Sequence, residues 1–259
     1  MENQNKNFNY NAIPDNQELF IPDGQSLRGI DSVKWIGQAW KLIKSKWVMW
    51  ILFCIIYTTI IAASLLIPFL TILVYILNPV FIGGIITVCE KQRTTGEFKP
   101  GLFFSGFQKN FVSLLGVGAL ALGIIFLGFI LILIISGGSL MAILLAGYGA
   151  PNWIFLLILS TFVFIIFFSV TTALIWFIPA LIVIHNMKFC TAVSMSLKAV
   201  KKNLLPCFLF FITFEGIFII SRFTYGLVLL IAVPLFLASC YSSYRSIFIS
   251  KAKSSTLIT

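Results

Sequence analysis

The sequence predicts an all-α integral membrane protein. Six transmembrane helices are expected as three parallel repeats, each a basic amphipathic interfacial helix followed by a helical hairpin with a proline in its second helix. Three observations predict it. Hydrophobic residues make up 59% of the 259 and charged residues 10%, too little charge to clothe a water-soluble domain of this size. Several apolar windows are long enough to cross a hydrocarbon core of roughly 30 Å. One order of features (basic amphipathic run, apolar span, turn, proline-bearing span) begins at Asp31, returns near Lys99 and returns again at Lys188.

Residues 1–30 are Asn- and Gln-rich without an apolar run, which predicts a disordered cytoplasmic tail. They lack the regions of a signal peptide, so the first span is expected to serve as the insertion signal. The six-helix domain follows over about 31–250, with repeats at about 31–90, 99–187 and 188–249, and 251–259 form a C-terminal tail.

In the first unit Val33, Ile36, Trp40, Ile43 and Trp47 step by three and four residues and so share one helix face. Lys34, Gln38, Lys41 and Ser45 keep the same rhythm opposite. Such a helix either lies in the lipid interface or packs as a lead-in helix of the bundle. Spans are expected at about 47–67 and 69–90, parted by a turn at Ile67-Pro68. Asn78-Pro79 predicts a kink or short break, and Gly83-Gly84 a surface where another helix approaches closely.

The second unit opens on Phe103, Phe107 and Phe111 with the polar shoulder Gln108-Lys109-Asn110. Its first span, about 111–135, carries Gly116, Ala119 and Gly123 as a contact stripe. An uncharged Gly-rich insertion over 137–152 suggests a short outer-surface or re-entrant helix around Leu140 to Leu145. The next span, about 153–187, holds Pro179 and exceeds one bilayer crossing, which implies tilt or a kink. In the third unit Val193, Leu197, Val200 and Leu204 form the apolar stripe, and Ser194, Lys198, Lys201 and Lys202 the basic one. Spans at about 205–223 and 225–249 follow, the last with Pro234.

The net charge of +10 is read from its location. Every Lys and Arg except Arg222 falls on one side of this scheme, the pattern of cytoplasmic loops, so both termini are expected in the cytoplasm of a bacterial cell with the spans in its inner membrane. No aromatic–basic reading module accompanies these bases, which argues against a nucleic-acid partner. Lys41, Lys44, Lys46, Lys109, Lys198, Lys201 and Lys202 are instead expected to meet anionic lipid headgroups, each contributing roughly 1 kcal/mol near the surface. A membrane-protein partner or a second copy of the chain is the other expected contact.

Chemistry-bearing residues are sparse. The five cysteines form no CxxC and the one histidine, His185, can build no cluster, so no metal or cofactor site is expected. No phosphate loop, nucleophile motif or paired carboxylates occur, which predicts a protein that is not an enzyme. The intramembrane polar candidates are Glu215, Arg222 and Asn78. Glu215 either ionises beside a partner such as Arg222, two turns on, or stays protonated in apolar surroundings. Its role is structural, or one of ion or proton coupling, or that of a tolerated lipid-side or pore-facing polar residue. Asn78-Pro79 either exposes backbone groups to a ligand or makes a packing kink.

Mitochondrial carriers also repeat kinked helices and surface helices three times, but follow each proline with an acidic and then a basic residue. Here Pro79-Val80-Phe81, Pro179-Ala180-Leu181 and Pro234-Leu235-Phe236 stand in those places, so no charged gate forms. The stretches Trp35 to Trp47, Asn78-Pro79-Val80-Phe81-Ile82-Gly83-Gly84 to Phe107, Trp176-Phe177-Ile178-Pro179-Ala180-Leu181 to Pro206, and Pro234 through Tyr241-Ser242-Ser243-Tyr244-Arg245-Ser246-Ile247-Phe248 carry a closer likeness. Over about residues 30–250 the chain resembles a family of uncharacterised bacterial six-helix inner-membrane proteins. It is similar in pattern to the membrane domain attached to some glycerophosphodiesterases, without their catalytic domain. The resemblance implies a six-helix cytoplasmic-membrane protein. Two functions are then expected: a non-enzymatic protein engaging anionic lipid or a partner through its basic helices, or a small transporter or channel using Glu215 and the proline-kinked helices.

Overall fold

A long apolar segment can satisfy its backbone N–H and C=O groups in lipid by coiling into helix. The computed structural model of the chain, which describes residues 18–146 and 153–251, is mostly helical. Among the described residues there are ten α-helices, one 3₁₀ turn and two short strands. The helices are α1 (Asp31–Lys44), α2 (Trp47–Ser64), α3 (Pro68–Thr95), α4 (Ser105–Gln108), α5 (Phe111–Ala146), α6 (Trp153–Ile175), α7 (Ile178–His185), α8 (Phe189–Lys202), α9 (Leu204–Phe223) and α10 (Leu229–Phe248). Five stretches are long and apolar enough to cross a membrane: α2, α3, α5 over Phe111–Ile134, α9 and α10. This is a multi-pass membrane protein.

Three prolines set the layout, each differently. α3 starts on Pro68 and closes on Gly96, whose φ of 70° lets its N–H return to the Gln92 carbonyl. Between those ends the helix is uninterrupted at Pro79, so of the expected kink or short break the break does not form, and the hydroxyl of Tyr57 on α2 donates to Asn78 Oδ1 beside it. The long span expected over 153–187 is two helices, α6 and α7, parted at Trp176-Phe177, with Pro179 in the first turn of α7. Pro234 lies inside α10.

These proline-bearing elements form the centre. α3 packs on both α7 and α10. The side chain just before α7, Trp176, donates to Ser243 Oγ of α10 at 2.9 Å, and Phe177 meets Phe248 edge to face. Val80, Ile85, Ile86 and Val88 of α3, Leu181 and Ile182 of α7, and Ala238 and Cys240 of α10 fill the core between them. Glycine decides how closely α3 is approached. A Cβ on Gly84 would lie 1.8 Å from the Phe103 carbonyl oxygen, and one on Gly118 of α5 would lie 1.9 Å from that of Ile76. The Gly83-Gly84 expectation thus holds. The stripe expected at Gly116, Ala119 and Gly123 does not: Leu114, Val117, Gly118 and Ala121 are buried, while Ala119 and Gly123 are exposed.

The middle unit differs most from its reading. Its surface element is a 3₁₀ turn, Pro100–Phe104, followed by the one-turn α4, where a longer amphipathic helix was expected. No separate helix forms around Leu140 to Leu145, because α5 runs unbroken to Ala146. The rest of the Gly-rich insertion, 147–152, lies outside the described residues, as do 1–17 and 252–259 of the expected tails.

The disorder expected for residues 1–30 fails over 18–30. There β1 (Glu18–Phe20) pairs antiparallel with β2 (Ile249–Lys251), Phe20 opposite Ile249. Gln25 N–H donates to the Ile247 carbonyl at 2.8 Å, and Asn203 Oδ1 accepts from Leu27 N–H at 2.8 Å. Gly24, at φ 61°, sits so close to Ile247 that a Cβ would fall 2.9 Å from its Cγ2. Polar composition marked this segment as unable to build a core alone, and it is ordered by edges that the bundle supplies.

Candidate functional site: the polar end of the bundle

α1, α8, the 97–110 turn, both strands and the ends of α3, α7 and α10 all meet at one end of the bundle, tied by side-chain bonds. Its centre is a charge clasp. Glu90 of α3 pairs with Arg93 one turn on at 2.6 Å and accepts from the Tyr241 hydroxyl of α10. Arg93 Nε donates to the same hydroxyl at 2.8 Å, and its Nη1 reaches Glu18 Oε1 of β1 at 3.1 Å. Arg245, one turn beyond Tyr241, closes on Glu18 as well, its Nη1 3.1 Å from Oε2. Two guanidinium groups thus face two carboxylates, forming a balanced network. Beside it the Tyr244 hydroxyl shares a hydrogen bond with His185 Nε2, and Phe20 lies over the imidazole with ring centroids 4.0 Å apart.

His185 falls near the end of the span expected over about 153–187, and nothing in that expectation includes the clasp. Glu90, Arg93 and Arg245 read as loop or terminal charges, because their partner Glu18 lies in a segment expected to be disordered. The one available signal was the polar run Tyr241-Ser242-Ser243-Tyr244 inside an apolar span.

A second polar junction locks α1 to the hairpin of α2 and α3. Trp50 Nε1 donates to Gln92 Oε1 at 3.0 Å, and Gln92 Nε2 donates to the Leu42 carbonyl at 2.7 Å and to Ser45 Oγ at 2.9 Å. At the start of α1, Lys34 lies 2.6 Å from Asp31, which also accepts the Arg28 N–H. Those two contacts hold the Asp31 carboxyl below its usual range.

The expected lipid-contact lysines divide. Lys198 pairs with Asp23 at 3.2 Å, and Lys202 donates to the carbonyls of Asp23 and Gly24, so these two hold the N-terminal segment. Lys41, Lys44, Lys46, Lys109 and Lys201 are exposed and form no ion pair among the described residues.

The stripe drawn through Val33, Ile36, Trp40, Ile43 and Trp47 also divides. Ser32, Trp35, Ala39 and Ile43 are the buried residues of α1, which packs on α10 and α9. Val33, Trp40 and Trp47 remain 63%, 46% and 58% exposed, on the flank that adjoins Lys44. α8 repeats the pattern: Ala192, Met195, Ser196, Ala199 and Val200 are buried, so of its expected stripe Val200 is buried, Val193 packs half-buried against the core and Leu204 is exposed. Small residues share these contact faces with Trp35, Ile43, Met195 and Val200; they admit a close backbone, whereas a large apolar side chain is equally at home against lipid.

The intramembrane candidates are not brought together. Glu215 is exposed on α9 in register with the exposed Ile212 and Ile219, and Arg222 is exposed near the end of that helix. Neither takes part in an ion pair among the described residues, and Asn78 is occupied by Tyr57 on another face of the bundle. The described residues hold no group of three His, Cys, Asp or Glu side chains placed for a metal ion. No protein family, no curated relative and no solved structure matches the chain.

Proposed function

We propose that this chain is a non-enzymatic protein of a bacterial inner membrane, crossing it six times in three like-oriented units, with the clasped polar end in the cytoplasm. Its task in this reading is to hold a cationic, tryptophan-bearing surface against the anionic headgroups of that leaflet, or against a membrane partner seated there. The observation that carries it is the unburied flank of α1, where Val33 and Trp40 stand exposed beside Lys41 and Lys44, which form no ion pair among the described residues, with the exposed Trp47 opening α2 just beyond. Apolar aromatics next to free cations match the boundary between acyl chains and phosphates. α6, which holds no charged residue over Trp153–Ile175, supports the sixth crossing.

The alternative, a small transporter or channel, draws no support from the arrangement. Glu215 faces outward, and the proline-bearing elements meet through Ile86, Leu181 and Ala238 instead of around a polar path.

Reconstitution in bilayers with spin-labelled lipids tests the proposal. The wild type is expected to select phosphatidylglycerol over phosphatidylcholine at low salt. Replacing Lys41, Lys44 and Lys201 by Gln should weaken that selectivity several-fold, at roughly 1 kcal/mol per lysine before screening. Equal selectivity in wild type and variant sinks the proposal.

A further inference from the structure

One face of α2 forms a groove with α3 and the 98–104 turn. Met49, Phe53, Ile56 and Ile60 make its floor, with Phe81 of α3 and Phe98 of the turn among its walls. The floor residues recur at four, three and four positions, so they form a straight line along the helix. From Met49 to Ile60 that line rises about 16 Å, about half the thickness of a hydrocarbon core of roughly 30 Å. The groove is therefore as deep as one leaflet. Its walls are apolar: the one hydroxyl near it, on Tyr57, is directed to Asn78.

Lys46, the residue before α2 at the polar end, lies three positions ahead of Met49, where its φ of −140° and ψ of 38° end the helical rhythm. Lys46 is exposed and pairs with no carboxylate among the described residues. Lys99, flanked by the lining residues Phe98 and Pro100, is already neutralised by Glu97 at 3.0 Å. One cation with no ion pair among the described residues thus lies three residues from Met49, at the polar end of an apolar, ring-lined groove about one leaflet deep.

We infer that the groove holds one acyl chain of an anionic phospholipid from the leaflet at the polar end, with the lipid phosphate on Lys46. The inference rests on the reading that anionic lipid engages this end, and adds a discrete, stoichiometric site to it. Ring walls lose little entropy on enclosing a chain, so this lipid exchanges more slowly than the lipids around the other helices.

Native mass spectrometry of the full chain, delipidated in mild detergent and titrated with phosphatidylglycerol or phosphatidylcholine, tests it. The wild type should retain one phosphatidylglycerol and discriminate against phosphatidylcholine. Lys46→Gln should lower its occupancy about fivefold, the equivalent of roughly 1 kcal/mol. Ile56→Trp, which fills the groove, should remove the lipid, and Phe126→Trp on the exposed face of α5 should not. The Lys46→Gln arm stands if Ile56→Trp fails to fold. Absence of a retained lipid, no preference for phosphatidylglycerol, unchanged occupancy in Lys46→Gln, or a polypeptide retained in its place each overturns the inference. The two readings fail separately, because replacing Lys41, Lys44 and Lys201 should reduce general selectivity while leaving the groove lipid bound.

Discussion

Gly84 and Gly123 look alike in the sequence, each a glycine in an apolar helix, yet their surroundings differ completely. The Cβ of an alanine at 84 would enter the Phe103 carbonyl, and that carbonyl belongs to backbone that cannot swing aside. At 123 nothing lies within 4 Å. Gly84→Ala is therefore expected to lower stability by about 1–3 kcal/mol, the usual range for forcing an extra methyl into a packed core. Gly123→Ala should leave stability unchanged or raise it. Thermal unfolding in detergent checks the pair, and equal midpoints would mean that the turn over Gly84 is not seated as described. Residue identity alone could not separate the two, because what differs is the backbone opposite each glycine.

At the scale of elements, the sequence told which stretches coil and where the basic surface runs begin. It did not tell which face of each surface helix packs. Rhythm found the large apolar residues of α1 and α8, but in a membrane protein these can face lipid or protein alike: Ile43 and Val200 are buried as expected, and the rest of the buried lines runs through Ser32, Trp35 and Ala39, and through Ala192, Met195, Ser196 and Ala199. The clasp was illegible for another reason. Glu18 gains two arginine partners only after β1 has found β2, a pairing more than two hundred residues apart in sequence that no local pattern records. That dependence can be measured. Glu18→Gln leaves the backbone ladder available but weakens the hold of both guanidinium groups, by about 1 kcal/mol for a partly exposed network. Hydrogen exchange should then speed up at the Ile21 and Gln25 amides, which donate to the Phe248 and Ile247 carbonyls, while the amides of α3 keep their protection. Unchanged protection at both amides would show that the ladder holds the segment without the clasp.

The whole molecule has a direction. One end carries the clasp, α1, α8 and the exposed lysines, and the spans run away from it to short turns such as 65–67 and 224–228. Among the described residues Glu215 and Arg222 on α9 are the charged exceptions, and both are exposed. The measurement that tests the central claim most directly is cysteine accessibility in intact cells, in a background with the five native cysteines replaced. Single cysteines at Thr95 and Lys201 should resist a membrane-impermeant maleimide until the cells are opened, while one at Leu66 should react at once. Labelling at Thr95 or Lys201 in sealed cells would put the cationic end on the wrong side of the membrane and contradict the account.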